Sequence, residues 1–131
     1  MANNVQSSVG IILVSHSQKI TEGLKDLILE MNGDQVNVHA AGGTDDGRLG
    51  TSATIIMNEI EELGNCENIL IFYDMGSALM SAETAIDLLD EDVQTKCKIV
   101  EGPLVEGAFV ASVQSTITND VDVILKEVSK L

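Results

Sequence analysis

Residues 11–23 read IILVSHSQKITEG. An unbroken apolar run stops at Ser15-His16-Ser17, and an amphipathic pattern takes over within a few residues. Taken from Gly10, the run GIILV has the character of a short strand buried on both faces. From Thr21 to about Met31, Leu24, Leu27, Ile28 and Met31 recur at helical spacing. A buried strand that hands over directly to a helix is the opening of a βαβ unit.

The same rhythm continues along the chain. Asn32-Gly33 is a helix stop signal, and Val36 to Ala41 reads as a second strand, followed by the loop GGTDDGRLG. Thr51 or Ser52 caps a helix carrying Ile55, Ile56, Ile60 and Leu63, closed by Gly64-Asn65. Ile69 to Tyr73 (ILIFY) is the third strand, and Asp74-Met75-Gly76-Ser77 its exit turn. A helix then begins at Ser77, running from about Ala78 to Leu89 with Leu79, Ala82, Ile86 and Leu89 along one side. Cys97 to Val100 is a fourth strand. After Gly102-Pro103 the remainder, Val105 to Leu131, reads as two helical pieces parted near Asn119-Asp120. This order predicts an α/β fold: a doubly wound, mainly parallel sheet of at least four strands with helices on both faces. Residues 1–131 are expected to form a single domain, with 1–8 a flexible N-terminus, and no internal repeat is present.

Composition bounds what such a domain does. Apolar residues make up 44% of the 131 residues but aromatics only 2%, so Val, Ile, Leu, Ala and Met must build the core. Twenty-one acidic residues face seven basic ones, a net charge of −14. That surface repels nucleic-acid phosphates and anionic membranes and favours a partner with a basic docking face. The N-terminal MANNVQSS lacks a signal-peptide pattern, and no apolar run approaches spanning length. Cys66 and Cys97 stand outside any CxxC or His spacing and read as small, buried or half-buried thiols of a cytoplasmic protein.

In parallel sheets of this kind, ligands and chemistry collect at the carboxyl ends of the strands, near the point where strand order reverses. Four loops are expected there: Ser15-His16-Ser17, Gly42 to Gly50, Asp74 to Ser77, and Glu101 to Gly107. A histidine in a loop is usually incidental. His16, however, follows a buried strand, is flanked by two hydroxyl residues and adjoins a helix start. A neutral imidazole is a good nucleophile near neutral pH, and open N–H groups at a helix start favour an adjacent anion, so this setting suits a histidine that accepts a phosphoryl group. Asp74 either opens an Asx turn or, as the second player, fixes the imidazole tautomer; its place at a strand end favours the second role. His39, inside the second strand, lacks that context and reads as structural.

Other templates fit less well. Gly42 to Leu49 is a near miss to a phosphate loop, with Arg48 for the Lys and Leu49 for Ser/Thr, so neither the phosphate charge nor Mg²⁺ is held as that motif requires. Backbone groups of the loop are expected to close over the site, with Thr44 bonding a phosphate oxygen and Asp45 and Asp46 facing outward. No histidine pair has metal-ligand spacing, and nothing resembles a nucleophile elbow. A phospho-aspartate receiver shares the architecture but wants an acidic pair after the first strand, where this chain has Ser-His-Ser.

Val14-Ser15-His16-Ser17, Ala41-Gly42-Gly43, Gly50-Thr51, Asp74-Met75-Gly76-Ser77-Ala78 and Pro103-Leu104-Val105-Glu106-Gly107 occur in an order and spacing that resembles one family. It is the phosphotransfer subunit of bacterial dihydroxyacetone kinase, among the mannose-type IIA domains of the sugar phosphotransferase system. The resemblance runs from Gly10 to the C-terminus. It implies that the histidine phosphocarrier protein HPr phosphorylates His16, which passes the group to ADP held on a partner kinase subunit. Asp74 would orient the imidazole, and Ser15, Ser17, Gly42, Gly43, Thr44, Gly76 and Ser77 would line the site. The resemblance further implies a cytoplasmic homodimer with no cofactor of its own, ADP/ATP and Mg²⁺ lying on the partner, and phosphorylation at Nε2. A mannose-type sugar IIA component, a phospho-Asp74 receiver and a binding module without covalent chemistry stand as alternatives.

Overall fold

The computed structural model describes residues 7–131, and the apolar runs of the sequence form one parallel sheet. Its strands are β1 (Val9–Ser15), β2 (Asn37–Gly42), β3 (Asn68–Tyr73) and β4 (Cys97–Val100), in the order β2-β1-β3-β4. All three pairings are parallel. Among the described residues six α-helices join and follow them: α1 (Gln18–Asn32), α2 (Ala53–Glu62), α3 (Gly76–Asp87), the four-residue α4 (Glu91–Gln94), α5 (Leu104–Ser115) and α6 (Val121–Val128). The chain steps outward from β1 to β2 and then crosses back over β1 to β3. The reversal point therefore lies between the carboxyl ends of β1 and β3.

Strand alternation divides the core in two. Val9, Ile11 and Leu13 of β1, with Leu70 and Phe72 of β3, face α1, α5 and α6. Ile12 and Val14, with Ile69 and Ile71, face α2 and α3. Central strands buried on both sides explain why their sequences are continuous apolar runs rather than alternating ones. Burying each such side chain stabilises the fold by roughly 1.5–3 kcal/mol. The buried face of α3 is Ala78, Ala82 and Ala85, so this helix settles close against the sheet and carries its first turn up to the ends of β1 and β3.

Several boundaries differ from the sequence reading. α1 starts three residues earlier than Thr21, because the Ser17 hydroxyl accepts from the Ile20 N–H and caps it. α3 starts at Gly76 with Met75 in the cap position, one residue before the expected Ser77. Of the two candidate caps of α2, Ser52 takes the role. β2 starts at Asn37, because a 3-10 turn over Gly33–Gln35 occupies the preceding residues. α4 carries too few apolar residues to show periodicity. Leu27 and Met31, expected on the buried stripe of α1, are exposed; Thr21, Leu24 and Ile28 make that stripe.

Residues 1–6 of the expected flexible N-terminus lie outside the described residues. Ser7 and Ser8 are tied to the body: the Ser7 hydroxyl and the Ser8 N–H both donate to Asn119 Oδ1, each at 3.2 Å. Cys66 is buried, Cys97 half-buried, and both are free. Burial pushes the Cys66 thiol up and the Cys97 thiol to about 11. Among the described residues, no helix is long and apolar enough to cross a membrane.

Candidate active site

Register builds the site. Val14 pairs with Tyr73, so the next residues, Ser15 and Asp74, leave the sheet side by side at the reversal point. The buried Ser15 hydroxyl donates to Asp74 Oδ2 at 2.9 Å, and the His16 backbone N–H donates to the same oxygen at 3.0 Å. Oδ1 accepts from the Met75 N–H at 2.7 Å and lies 3.0 Å from His16 Nδ1. Burial alone would push the Asp74 carboxyl up. The His16 N–H, the Ser15 hydroxyl and the His16 ring outweigh it and hold the group below the usual carboxylate range.

An ionised carboxylate only accepts, so in the neutral ring Nδ1 of His16 carries the proton and Nε2 keeps its lone pair. That nitrogen lies 2.6 Å from Ser77 Oγ, whose O–H donates to it in this tautomer. Ser77 is in the first turn of α3, which has no side-chain cap. The Ala78 and Leu79 N–H groups are bonded to the Met75 carbonyl, which leaves those of Gly76 and Ser77 as the donors this helix start can offer an anion. His16 and Asp74 are partly buried, with side chains 25% and 18% exposed. The chemistry the arrangement supports is nucleophilic attack by Nε2, with Asp74 stabilising the imidazolium that results.

Main chain of the Gly42–Gly50 loop grips the backbone around His16. The Gly43 N–H donates to the Ser15 carbonyl at 3.1 Å and the Gly50 N–H to the His16 carbonyl at 2.8 Å. Gly42 has no room for a side chain: a Cβ there would sit 2.6 Å from the Ser17 carbonyl and against the Thr21 hydroxyl. Gly43 adopts φ +80°, in the left-handed region that favours glycine. Glycines therefore let the loop lie flat on the first turn of α1.

The structure sorts the expected site residues into different places. His16, Asp74, Ser77 and Gly76 come together. Ser15 is fully buried behind Asp74 rather than lining the surface. The Ser17 hydroxyl caps α1, and its N–H donates to Ser15 Oγ. Thr44, expected to bond phosphate, turns into its own loop: its hydroxyl donates to Asp46 Oδ1 at 2.6 Å and accepts from the Arg48 N–H at 3.1 Å. Asp46 pairs with Arg48 at 2.8 Å, and the Thr44 and Arg48 contacts hold its carboxyl below the usual range. Asp45 accepts from the Ser52 hydroxyl.

Two features lay outside the sequence reading. Leu49, Met75 and Met80 are exposed at 80%, 56% and 67%; Leu49 adjoins Gly50, Met75 adjoins Asp74, and Met80 is one turn beyond Ser77. Leu49 and Met75 are exposed apolar residues inside exit loops, and that placement was the available signal. Thr51 Oγ1 and Ser81 Oγ, 2.6 Å apart, also latch the end of the loop to α3.

A family model described as the PTS system fructose IIA component (EIIA-man) matches residues 10–125. Over 123 residues the chain is 52% identical to the phosphoryl donor subunit DhaM of PEP-dependent dihydroxyacetone kinase 2 from Listeria innocua, covering 94% of this chain and 98% of that one. It is 43% identical over 103 residues to the phosphotransferase subunit DhaM of the PTS-dependent dihydroxyacetone kinase of Lactococcus lactis, covering 79% of each. The DhaM subunit of Providencia stuartii is 40% identical over 122 residues, which span 91% of this chain but only 26% of that longer protein. Among solved structures, the crystal structure of protein EF1359, described as of unknown function, matches with a TM-score of 0.87 at 41% identity over 95% of both chains. The chain belongs to the mannose-type IIA family of the phosphotransferase system, and within it to the phosphoryl donor subunits of PEP-dependent dihydroxyacetone kinases.

Proposed function

We propose that this chain relays a phosphoryl group through His16, taking it from the histidine phosphocarrier protein HPr and passing it to ADP on a partner kinase subunit, whose ATP then phosphorylates dihydroxyacetone. The observation that carries this reading is the pair of contacts on one ring: Nδ1 against Asp74 at 3.0 Å and Nε2 beside Ser77 in the uncapped first turn of α3.

In the first step the Nε2 lone pair attacks the donor phosphorus, and the P–N bond of the donor breaks with its electron pair returning to the donor imidazole. The Nδ1 proton stays on His16, so the ring gains positive character that the adjacent carboxylate offsets. Ser77 Oγ, relieved of its bond to Nε2, turns its proton to a phosphoryl oxygen, and the open N–H groups of α3 receive another. In the second step an oxygen of the terminal phosphate of ADP attacks the same phosphorus. The P–Nε2 bond breaks, and the lone pair returns to the ring. Nothing in either step requires a cofactor on this chain; nucleotide and Mg²⁺ belong to the acceptor. The reading also carries a cytoplasmic setting and a homodimer.

The test is to incubate the protein with phosphoenolpyruvate and the general phosphotransferase proteins and to follow the label. A label stable in base, labile in acid and lost in His16→Ala is expected. Absence of label, or label that survives His16→Ala, overturns the relay. The fructose IIA description of the matching family model favours a second reading, transfer to a sugar-specific IIB protein. Offering the labelled chain both acceptors, the ADP-loaded kinase subunit and a IIB protein, separates the two.

A further inference from the structure

His39 is the histidine that the relay leaves unused. It lies in β2, the outer strand of the sheet, and by alternation shares a face with Ala41, which packs in the core beneath α2. α2 carries Glu59 and Glu62, three residues apart and so neighbours on one side of the helix. His39 Nδ1 lies 2.7 Å from Glu59 Oε1 and 3.7 Å from Glu62 Oε1. One ligand atom from each of the three residues lies within 4.8 Å of the other two.

A hydrogen bond accounts for one carboxylate on an imidazole nitrogen. It does not account for a second converging on the same nitrogen, since a single N–H serves one acceptor well. Neither glutamate forms an ion pair with Lys or Arg among the described residues, so no Lys or Arg offsets the two negative charges. A tetrahedral ion bonded at roughly 2.0–2.2 Å to imidazole nitrogen and carboxylate oxygens holds its ligand atoms about 3.4 Å apart. The two measured separations fall on either side of that value, and Glu62, 64% exposed, is free to adjust. The ring is 26% exposed, which leaves a fourth position for water.

We propose that His39, Glu59 and Glu62 form a binding site for a borderline divalent cation of the zinc class, which ties the outer strand β2 to α2. An imidazole among the ligands selects Zn²⁺, Co²⁺ or Ni²⁺ over Mg²⁺ and Ca²⁺, which take oxygen ligands. The site is separate from His16 and does not rest on the relay.

Zinc chloride alone is titrated calorimetrically into the full chain and into His39→Ala, Glu62→Gln and His16→Ala. One site per chain is expected, weakened at least about tenfold by His39→Ala and by Glu62→Gln and unchanged in His16→Ala. Zinc should also shift the ring nitrogen resonances of His39 and leave those of His16 in place, and excess magnesium should not compete. Glu62→Gln changes an exposed side chain, so the measurement stands even where His39→Ala disturbs β2. The proposal is overturned if the unsubstituted chain binds no zinc, if both His39→Ala and Glu62→Gln bind it with unchanged affinity, or if binding is lost in His16→Ala instead.

Discussion

The two histidines of this chain each set Nδ1 against a carboxylate, at 3.0 Å for His16 and 2.7 Å for His39. Their surroundings differ in what the backbone supplies. Asp74 already accepts two N–H groups and the Ser15 hydroxyl, so its charge is anchored before the ring is considered. The other ring nitrogen of His16 then meets a hydroxyl and the open start of a helix. His39 sits mid-strand in β2, and its carboxylates come from long, rotatable side chains of α2. An imidazole–carboxylate pair is thus common to both; a nearby set of fixed donors for an anion belongs to His16 alone.

The strongest attempt to break that comparison is to delete each ring. His16→Ala should abolish phosphoryl acceptance, whereas His39→Ala should leave the rate of labelling within about threefold, because it touches neither Asp74 nor Ser77. Next is Asp74→Asn, which on the proposed relay removes the charge that fixes the tautomer and stabilises the imidazolium. It should slow phosphoryl acceptance by about 10²–10³-fold in rapid-quench experiments, with the fold retained by circular dichroism.

The same substitution has a signature in stability. The folded carboxyl of Asp74 is held below its ordinary value, so it contributes stability that is fully present above the unfolded pKa and lost as pH falls through the folded one. Denaturant unfolding of the unsubstituted chain should weaken below about pH 4, and Asp74→Asn should remove that part of the dependence. Ser77→Ala should cost about tenfold in transfer rate, since the N–H groups of α3 remain. Ser15→Ala, behind the carboxylate, should lower stability by about 1–2 kcal/mol and transfer modestly. Smallest of all is Thr44→Ala, whose hydroxyl serves its own loop; labelling should change by less than about twofold.

Much of this was legible in the residues themselves. Continuous apolar runs such as ILIFY can be buried only in the middle of a two-sided sheet, and that fixed the architecture and the edge on which His16 falls. The order of strands put Asp74 on the same edge as His16, whereas the direct contact at Nδ1 depends on the strand register, which the residues did not give. Side-chain direction was not legible. Ser15, Ser17 and Thr44 are all hydroxyl residues at strand ends or in exit loops, yet one supports a carboxylate, one caps a helix and one closes a turn. Each choice is decided by which donor or acceptor lies within about 3 Å, information that spacing along the chain does not hold. The start of α1 slipped for a related reason, because its cap is defined by the Ser17–Ile20 bond and not by residue type. The second ion-pair cluster escaped notice because Glu59 and Glu62 read as ordinary polar positions of an amphipathic helix until the sheet set His39 beside them.

The grip of the Gly42–Gly50 loop on the backbone around His16 is made by main-chain N–H groups, at Gly43 and Gly50, while the side chains of residues 45–49 are exposed. Geometry at the His16 ring is thereby set apart from the side chains of Asp45, Asp46, Arg48 and Leu49, while Gly47, at φ +80°, keeps a backbone reason to be glycine. A lineage can rewrite those four side chains, and with them the contour and charge offered to another protein, while the histidine stays where it is. The loop is a place where recognition can evolve without catalysis having to evolve with it.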